Sequence, residues 1–197
     1  MAPLSVNFVP LVAIAVASLA ATLLALWIAA RGGPLRRAVL AADRALTGLA
    51  AALACLALAI AAVAGLWQVF SRFATETPAV WSEALVRTAL IWMALLGLAV
   101  ALRMGALVSI DVAHRYSAGA FQRALEAASL ATSLSLMGVL FWFGWSMAQR
   151  VKFQEMAGLE VSMSWGYAAI PIGALFAMLG AFAHFLDRRS AELEAAV

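Results

Sequence analysis

The chain has 197 residues, of which 66% are hydrophobic and 12% are charged, and its formal net charge at pH 7 is +3. Soluble domains carry about a quarter charged residues, so this composition indicates an integral membrane protein. The basic residues are spread over the connections between apolar stretches, with no run longer than Arg36-Arg37 or Arg188-Arg189. This distribution disfavours nucleic-acid binding, and the apolar stretches leave no room for an appended catalytic domain.

Five apolar stretches of at least fifteen residues contain no Asp, Glu, Lys or Arg: Phe8–Ala30, Ala45–Ser71, Thr88–Leu102, Ala127–Gln149 and Val161–Leu186. A helix of about 20 apolar residues crosses the hydrocarbon core of a bilayer. Four of the stretches reach that length. The third reaches it if the helix begins near Trp81 and carries Glu83 and Arg87 at the membrane interface. We therefore predict an all-α integral membrane protein with five transmembrane helices.

The first apolar stretch is predicted to be an uncleaved transmembrane helix rather than a secretory signal. A signal peptide has a basic n-region and an apolar h-region of about 7–15 residues. Met1–Asn7 contains no basic residue, and the apolar run that follows is longer. We divide the chain into a first helix with a basic connector (1–44), a four-helix unit (45–189) and a tail (190–197). Residues 36–44 of the connector are predicted to form a short basic helix.

The orientation of the helices is predicted from their connections. Assigning alternate connections to alternate sides puts nine Lys and Arg residues on one face and four on the other. The richer face belongs in the cytoplasm. The N-terminus is therefore expected on the periplasmic side and the C-terminus in the cytoplasm. Tryptophans favour interfaces, and five lie near predicted outer span ends: Trp67, Trp81, Trp142, Trp145 and Trp165.

No ionisable residue falls at the middle of a predicted span, where a charge would mark a functional site. Glu83 and Arg87 lie near the outer interface and are four residues apart. They are expected to form either a local ion pair or a pair that contacts a partner. A self-sufficient channel or exporter would need polar lining inside the membrane. Thr132, Ser133 and Ser135 are the cluster that resembles such a lining, and hydroxyls often bond to their own helix instead.

The alternative function is that of a haem- or quinone-linked membrane anchor of a redox complex. The two histidines are the possible haem ligands. Both His114 and His184 are predicted on the cytoplasmic side, and His114 lies among Asp111, Arg115 and Tyr116. A ligand to haem would need to lie inside the bundle. An interfacial role is therefore favoured for both histidines, and no cofactor is expected in this chain.

Small residues at helical spacing allow transmembrane helices to approach closely. Gly173, Ala177 and Ala181 form such a stripe on the last predicted helix, and Gly97 with Ala101 forms one on the third. These faces are candidates for tight packing on another helix.

Several motifs follow one another from Trp67 to the end of the chain. They are WQVFSRF at 67–73, PAVWSE at 78–83 followed by Arg87, IWMALLG at 91–97 followed by Arg103 and Gly105, and Trp165 and Tyr167 followed by AIPIG at 169–173. In this order and spacing they resemble the small membrane subunit of tripartite ATP-independent periplasmic (TRAP) transporters, the DctQ-like family.

One position departs from the family pattern. The loop after the family's second helix commonly contains Arg-x-Gly-x-His-Ile-x-Val-Asp. This chain has Arg103, Gly105 and Asp111, but Leu107 stands at the histidine position. The role of that histidine is therefore not transferred to this chain.

The resemblance implies four shared helices with the orientation that the charge count predicts, plus an extra helix at Phe8–Ala30. It also implies an accessory role in the inner membrane of a bacterium. In such systems a periplasmic binding protein delivers an organic anion, often a carboxylate, and a large membrane subunit binds the substrate and sodium. The small subunit is expected to brace the large one and to help dock the binding protein.

The implied partners are therefore the large TRAP membrane subunit, the periplasmic binding protein and membrane lipid, with sodium held by the large subunit. The candidate partner-interface or docking residues are Arg72, Glu76, Trp81, Glu83, Arg87, Arg103, Asp111, Arg150, Glu155, Gly173, Ala177 and Ala181.

Overall fold

The structure is a computed structural model that describes residues 8–31, 34–77, 79–105 and 120–195. Its helices are α1 (Val9–Arg31), α2 (Pro34–Ala74), α3 (Val80–Arg103), α4 (Ala120–Arg150), α5 (Ser164–Tyr167) and α6 (Ala169–Ala195). Within these ranges, five helical segments are long and apolar enough to cross a membrane: α1, α2, α3, α4 and a last segment, Ser164–Asp187, that contains the short α5 and most of α6. This confirms the predicted all-helical architecture with five candidate spanning helices.

The helix boundaries follow most of the predicted stretches. α3 begins at Val80, so Glu83 and Arg87 lie in its first turns as expected. The last apolar stretch, Val161–Leu186, contains the end of a loop, then the short α5 and then the long α6, which begins at Ala169. Pro171 fits the first turn of α6, where backbone N–H groups have no partner within the helix.

The second helix is longer than a span requires. α2 contains 41 residues, which at 1.5 Å per residue gives about 60 Å, roughly twice the thickness of the hydrocarbon core. It begins at Pro34, a residue that suits the first helical position. Residues 36–44, predicted as a short helix before the second span, are the first turns of this continuous helix.

The bundle has two ends, which we name by residues of α3. The Arg87 end contains the C-termini of α2 and α4 and the N-termini of α3 and α6, joined by contacts such as Thr88 to Met156. The Arg103 end contains the opposite termini, and there Arg103 contacts α2 and α6. α3 and α6 therefore run parallel to each other and antiparallel to α2 and α4.

α6 is the central helix of the bundle, because it packs against α1, α2, α3 and α4. In its span 56% of residues are buried, compared with 22% in each of the other four. Small residues make this possible. A Cβ on Gly173 would lie 2.6 Å from Leu95 Cβ, and one on Gly180 would lie 3.0 Å from the carbonyl oxygen of Ala99. Such glycines let the backbones of α3 and α6 approach closely.

The extra helix α1 packs against α4 and α6 and touches α2 only slightly. The Ser18 and Ser135 hydroxyls lie 2.6 Å apart, in hydrogen-bond contact. Close by, a Cβ on Gly138 would come within 2.7 Å of Ile14 Cγ2. Ala25 is fully buried in a cluster with α4 and α6. The first helix is therefore an integral part of the bundle.

These contacts also show what the predicted polar cluster on α4 does. Ser135 bonds to Ser18 across the helix interface, and the Thr132 hydroxyl donates to the carbonyl oxygen of Ala128 at 2.8 Å. Thr22 on α1 likewise donates to the carbonyl oxygen of Ser18 at 2.8 Å. Ser18 and Ser135 thus join two helices, whereas Thr22 and Thr132 bond to the backbone of their own helices.

The contact between α1 and α4 can be tested by cross-linking. The one native cysteine, Cys55, is first replaced by alanine. Because the Ser18 and Ser135 hydroxyls touch, a Ser18→Cys/Ser135→Cys variant should form an intramolecular disulfide under mild oxidation. Mass spectrometry after alkylation would count the remaining thiols. A Val16→Cys/Ser135→Cys variant is the control, since Val16 is exposed and should leave both thiols free. Equal oxidation of the two variants would contradict the described packing of α1.

Candidate functional site

A cluster of charged side chains joins three helices at the Arg103 end. We call Asp43, Arg103 and Asp187 the Arg103 cluster. The Arg103 guanidinium donates through Nε to Asp43 on α2, and through Nη2 to Asp187 Oδ2 on α6 at 2.8 Å. The Thr47 hydroxyl donates to Asp43 Oδ1 at 3.3 Å. The cluster therefore connects α2, α3 and α6 through one side chain.

The burial of each side chain determines how much its ion pair contributes to the stability of the bundle. The Asp43 and Arg103 side chains are 5% and 16% exposed, whereas that of Asp187 is 50% exposed. A carboxylate as buried as Asp43 is stable only when paired and hydrogen-bonded, and removal of its partner leaves an uncompensated charge. The pair of Arg103 and Asp43 therefore fixes the relative position of α2 and α3. The half-exposed Asp187 contributes less.

The Arg-x-Gly motif at the end of α3 has a structural explanation. Gly105 has a φ of +67°, a left-handed conformation that favours glycine. A Cβ there would lie 2.6 Å from Cε1 of His184. The same imidazole ring places Nδ1 3.1 Å from the carbonyl oxygen of Arg103. The motif thus ends α3 closely against α6 while its arginine reaches α2.

His184, one of the two candidate haem ligands, is therefore engaged with the end of α3. His114 lies outside the described residues, so the pairing of the two histidines stays untested. Within the described ranges, no three His, Cys, Asp or Glu side chains come together in an arrangement that could hold a metal ion.

At the Arg87 end, a groove lies beside the first turns of α3. The Arg87 groove has a volume of about 390 Å³. Its lining residues come from α3, from the segment between α4 and α5, and from α5 and α6: Val80, Glu83, Ala84, Arg87, Thr88, Ile91, Met156, Ala157, Met163, Gly166, Tyr167 and Ile170. Arg87 Nη2 donates to Glu83 Oε1 at 2.8 Å, and the two side chains are 72% and 60% exposed. This is the predicted ion pair.

The segment of residues 151–163, which we call the 151–163 cap, forms one wall of this groove. Its backbone is held by bonds from Met156 N to the Val161 oxygen and from Met163 N to the Gln154 oxygen, each 2.8 Å long. Gly158 has a φ of +83°, and a Cβ there would lie 3.0 Å from the carbonyl carbon of Val80. The cap is therefore folded and lies directly on the start of α3.

Two side-chain contacts attach this wall to α3. The Thr88 hydroxyl lies 3.3 Å from the Met156 sulfur. One helical turn further along, the Trp92 indole N–H donates to the carbonyl oxygen of Trp165 at 3.1 Å. The cap and the start of α6 therefore form one surface with the first turns of α3.

The remaining predicted site residues fall into three groups. Five are exposed at the Arg87 end outside the ion pair: Arg72, Glu76, Trp81, Arg150 and Glu155. The small-residue stripe of Gly173, Ala177 and Ala181 is packed inside the chain, with Ala177 fully buried. Asp111 lies outside the described residues.

Sequence reasoning selected Arg103 but missed both of its carboxylate partners. Only basic residues were counted between the spans, so Asp43 at the start of the second span and Asp187 at the end of the last were passed over. A useful signal was present in the sequence. Alternating helices bring positions 43, 103 and 187 to the same end of the bundle, where opposite charges can pair.

Two comparisons with known proteins give a consistent result. A family model described as "Tripartite ATP-independent periplasmic transporters, DctQ component" matches residues 61–190. The sialic acid TRAP transporter small permease protein SiaQ of Vibrio cholerae is 31% identical over 117 residues, which is 56% of this chain. The alignment spans 64% of that relative's length. The family match includes α3, α4, α5 and most of α6, and it excludes α1.

The structural role of the Arg103 cluster can be tested with two arginines of the same helix. Arg103→Ala would leave Asp43 buried without its partner, which costs about 3–5 kcal/mol. Arg87→Ala breaks an exposed pair at a cost of about 0.2–1 kcal/mol. Unfolding of each variant in the same detergent should show a large loss of thermal stability for Arg103→Ala and almost none for Arg87→Ala. Equal stability of the two variants would contradict the role assigned to the cluster.

Proposed function

The chain belongs to the DctQ component family of tripartite ATP-independent periplasmic transporters, and we propose that it acts as the accessory small subunit that braces a larger transport subunit. A carrier needs polar groups or broken helices near the middle of the membrane. In the described part of this chain, the spanning segments are unbroken except for the turn at Ala168, near one end of the last span, and the Ser18, Thr132 and Ser135 hydroxyl groups bond within the bundle. This arrangement fits a fixed scaffold, and it is the observation that carries the proposal.

The proposed orientation places the Arg103 end in the cytoplasm of a bacterium and the Arg87 end at the periplasmic face of its inner membrane. The excess of basic residues in the connections expected on the cytoplasmic side supports this. The exposed rings of Trp67, Trp81 and Trp165 support it as well, because they mark the opposite interface.

The proposed contact with the large subunit is the outward face of α3. Ala94, Gly97 and Ala101 follow one another at helical spacing on this face, and no atom lies within 4 Å of the position that a Cβ on Gly97 would occupy. An outward notch of small residues lets a neighbouring helix approach closely. The stripe on α6 is not part of this proposed surface, because it packs inside the chain.

The proposed contact with a periplasmic binding protein is the Arg87 end. The 151–163 cap is held by its own hydrogen bonds and offers a preformed surface, with the nearly fully exposed Phe153 at its edge. Preformed surfaces lose little conformational entropy on binding. The exposed charged residues at this end are the candidate contacts: Arg72, Glu76, Arg150 and Glu155.

We further propose that the transported substrate is an organic anion, that sodium drives its uptake, and that both bind to the large subunit. The name of the Vibrio cholerae relative, which specifies sialic acid, supports an organic acid as the substrate class. The substrate-recognising residues then belong to the partner proteins.

Co-purification is the direct test of this function. The tagged chain, extracted from its native membrane in mild detergent, should bring down one large multi-spanning membrane protein at equal stoichiometry. Mass spectrometry identifies that protein. Recovery of the chain alone would contradict the proposal, and recovery with a haem-containing flavoprotein complex would also favour the redox-anchor alternative.

The proposed contact surface on α3 can be tested in the same preparation. Gly97→Leu places a bulky side chain in the outward notch and should reduce recovery of the large subunit about tenfold or more, without destabilising the isolated chain. Gly48→Leu is the matched control, because a Cβ on Gly48 also has no atom within 4 Å but lies on α2. Loss of the partner with both variants or with neither would contradict the assignment of this face.

A further inference from the structure

The Arg87 groove is amphipathic, and its length matches the thickness of one leaflet of a membrane. It extends along α3 from Val80 to Ile91, about 16 Å at 1.5 Å per residue. That distance is about half of the hydrocarbon core. The exposed rings of Trp81 and Trp165 favour the membrane interface, and they lie near the Val80 end of the groove. One end of the groove is therefore at headgroup level, and the other reaches toward the middle of the bilayer.

The deeper part of the groove is apolar. Ile91 and Ile170 line it, together with the side chains of Met156 and Met163. The hydroxyl of Thr88 contacts the carbonyl oxygen of Ala84 at 2.9 Å and the sulfur of Met156 at 3.3 Å, so the protein itself supplies its partners. Flexible methionine side chains fill and adapt to irregular apolar space. This part of the groove therefore suits an acyl chain.

The headgroup end of the groove carries opposite charges. Arg87 and Glu83 bond through one N–H and one oxygen, so the guanidinium keeps further donors and the carboxylate keeps further lone pairs. Both side chains are more than half exposed. Guanidinium groups bind phosphate with charge-assisted hydrogen bonds, and carboxylates accept such bonds from ammonium groups. A phosphate and a primary ammonium next to each other would complement the pair.

We propose that the Arg87 groove binds one phosphatidylethanolamine molecule, with its phosphate on Arg87, its ammonium on Glu83 and an acyl chain beside Ile91 and Ile170. Phosphatidylcholine has no N–H group to donate to the carboxylate, and phosphatidylglycerol has no cation. The site is independent of the proposed transport role. It also assigns Glu83 and Arg87 to lipid, which leaves the other exposed charges at this end for a protein partner.

Native mass spectrometry of the purified full chain tests the proposal. Delipidated protein is titrated with phosphatidylethanolamine, phosphatidylcholine and phosphatidylglycerol of identical acyl chains. One phosphatidylethanolamine should bind in preference to the other two lipids. Soluble glycerophosphoethanolamine and inorganic phosphate should not displace it, because the acyl chain contributes to binding. Equal binding of all three lipids, or displacement by either soluble probe, would overturn the proposal.

Two variants separate the roles of the charged groups. Arg87→Gln should weaken phosphatidylethanolamine binding about tenfold, as expected for loss of charge-assisted bonds to the phosphate. Glu83→Gln should remove the preference for phosphatidylethanolamine over phosphatidylcholine. Arg72→Gln removes an exposed arginine outside the groove and should change neither property. An effect of Arg72→Gln equal to that of Arg87→Gln would show non-specific attraction of lipid and overturn the site.

Discussion

The bond between Arg103 and Asp43 is the constraint on which the rest of the bundle depends. A carboxylate that is almost fully buried needs a fixed partner, and here that partner is the last residue of α3. Along α3, Arg103 lies 22 residues from Trp81, or about 33 Å, which places it near the opposite membrane interface. A charge at this depth is tolerated when it is paired. Its second bond, to Asp187, extends the constraint to the central helix.

Close packing between helices inside the membrane adds to the stabilisation that the Arg103 cluster provides. Gly173 and Gly180 let α6 approach α3, and Gly138 lets α1 approach α4. Lipid is as apolar as leucine, so such close contacts and a few hydrogen bonds hold transmembrane helices together. The Ser18 and Ser135 hydroxyl groups are used in this packing. A bundle held in this way, with its charges at the ends, is consistent with the proposed bracing role.

The sequence was sufficient to predict the helices but not the contacts between them. Apolar length predicted five spanning helices, because a bilayer requires long uninterrupted apolar segments. The division of the last apolar stretch into a loop, α5 and α6 was not predicted, because hydropathy does not distinguish a turn from a helix. Asp43 and Asp187 were missed because a topology count considers basic residues alone. The Arg87 groove depends on how residues 151–163 fold onto α3, and no local pattern encodes that contact.

The most direct test of a static bracing role is a distance measurement during transport. Spin labels at Arg37 on α2 and Phe121 on α4, both exposed at the Arg103 end, would report on the bundle in a Cys55→Ala background. The complex with its large subunit is reconstituted in liposomes and measured with and without sodium, substrate and binding protein. We expect one distance distribution that is the same in every condition. A second population or a shift that depends on substrate would contradict it.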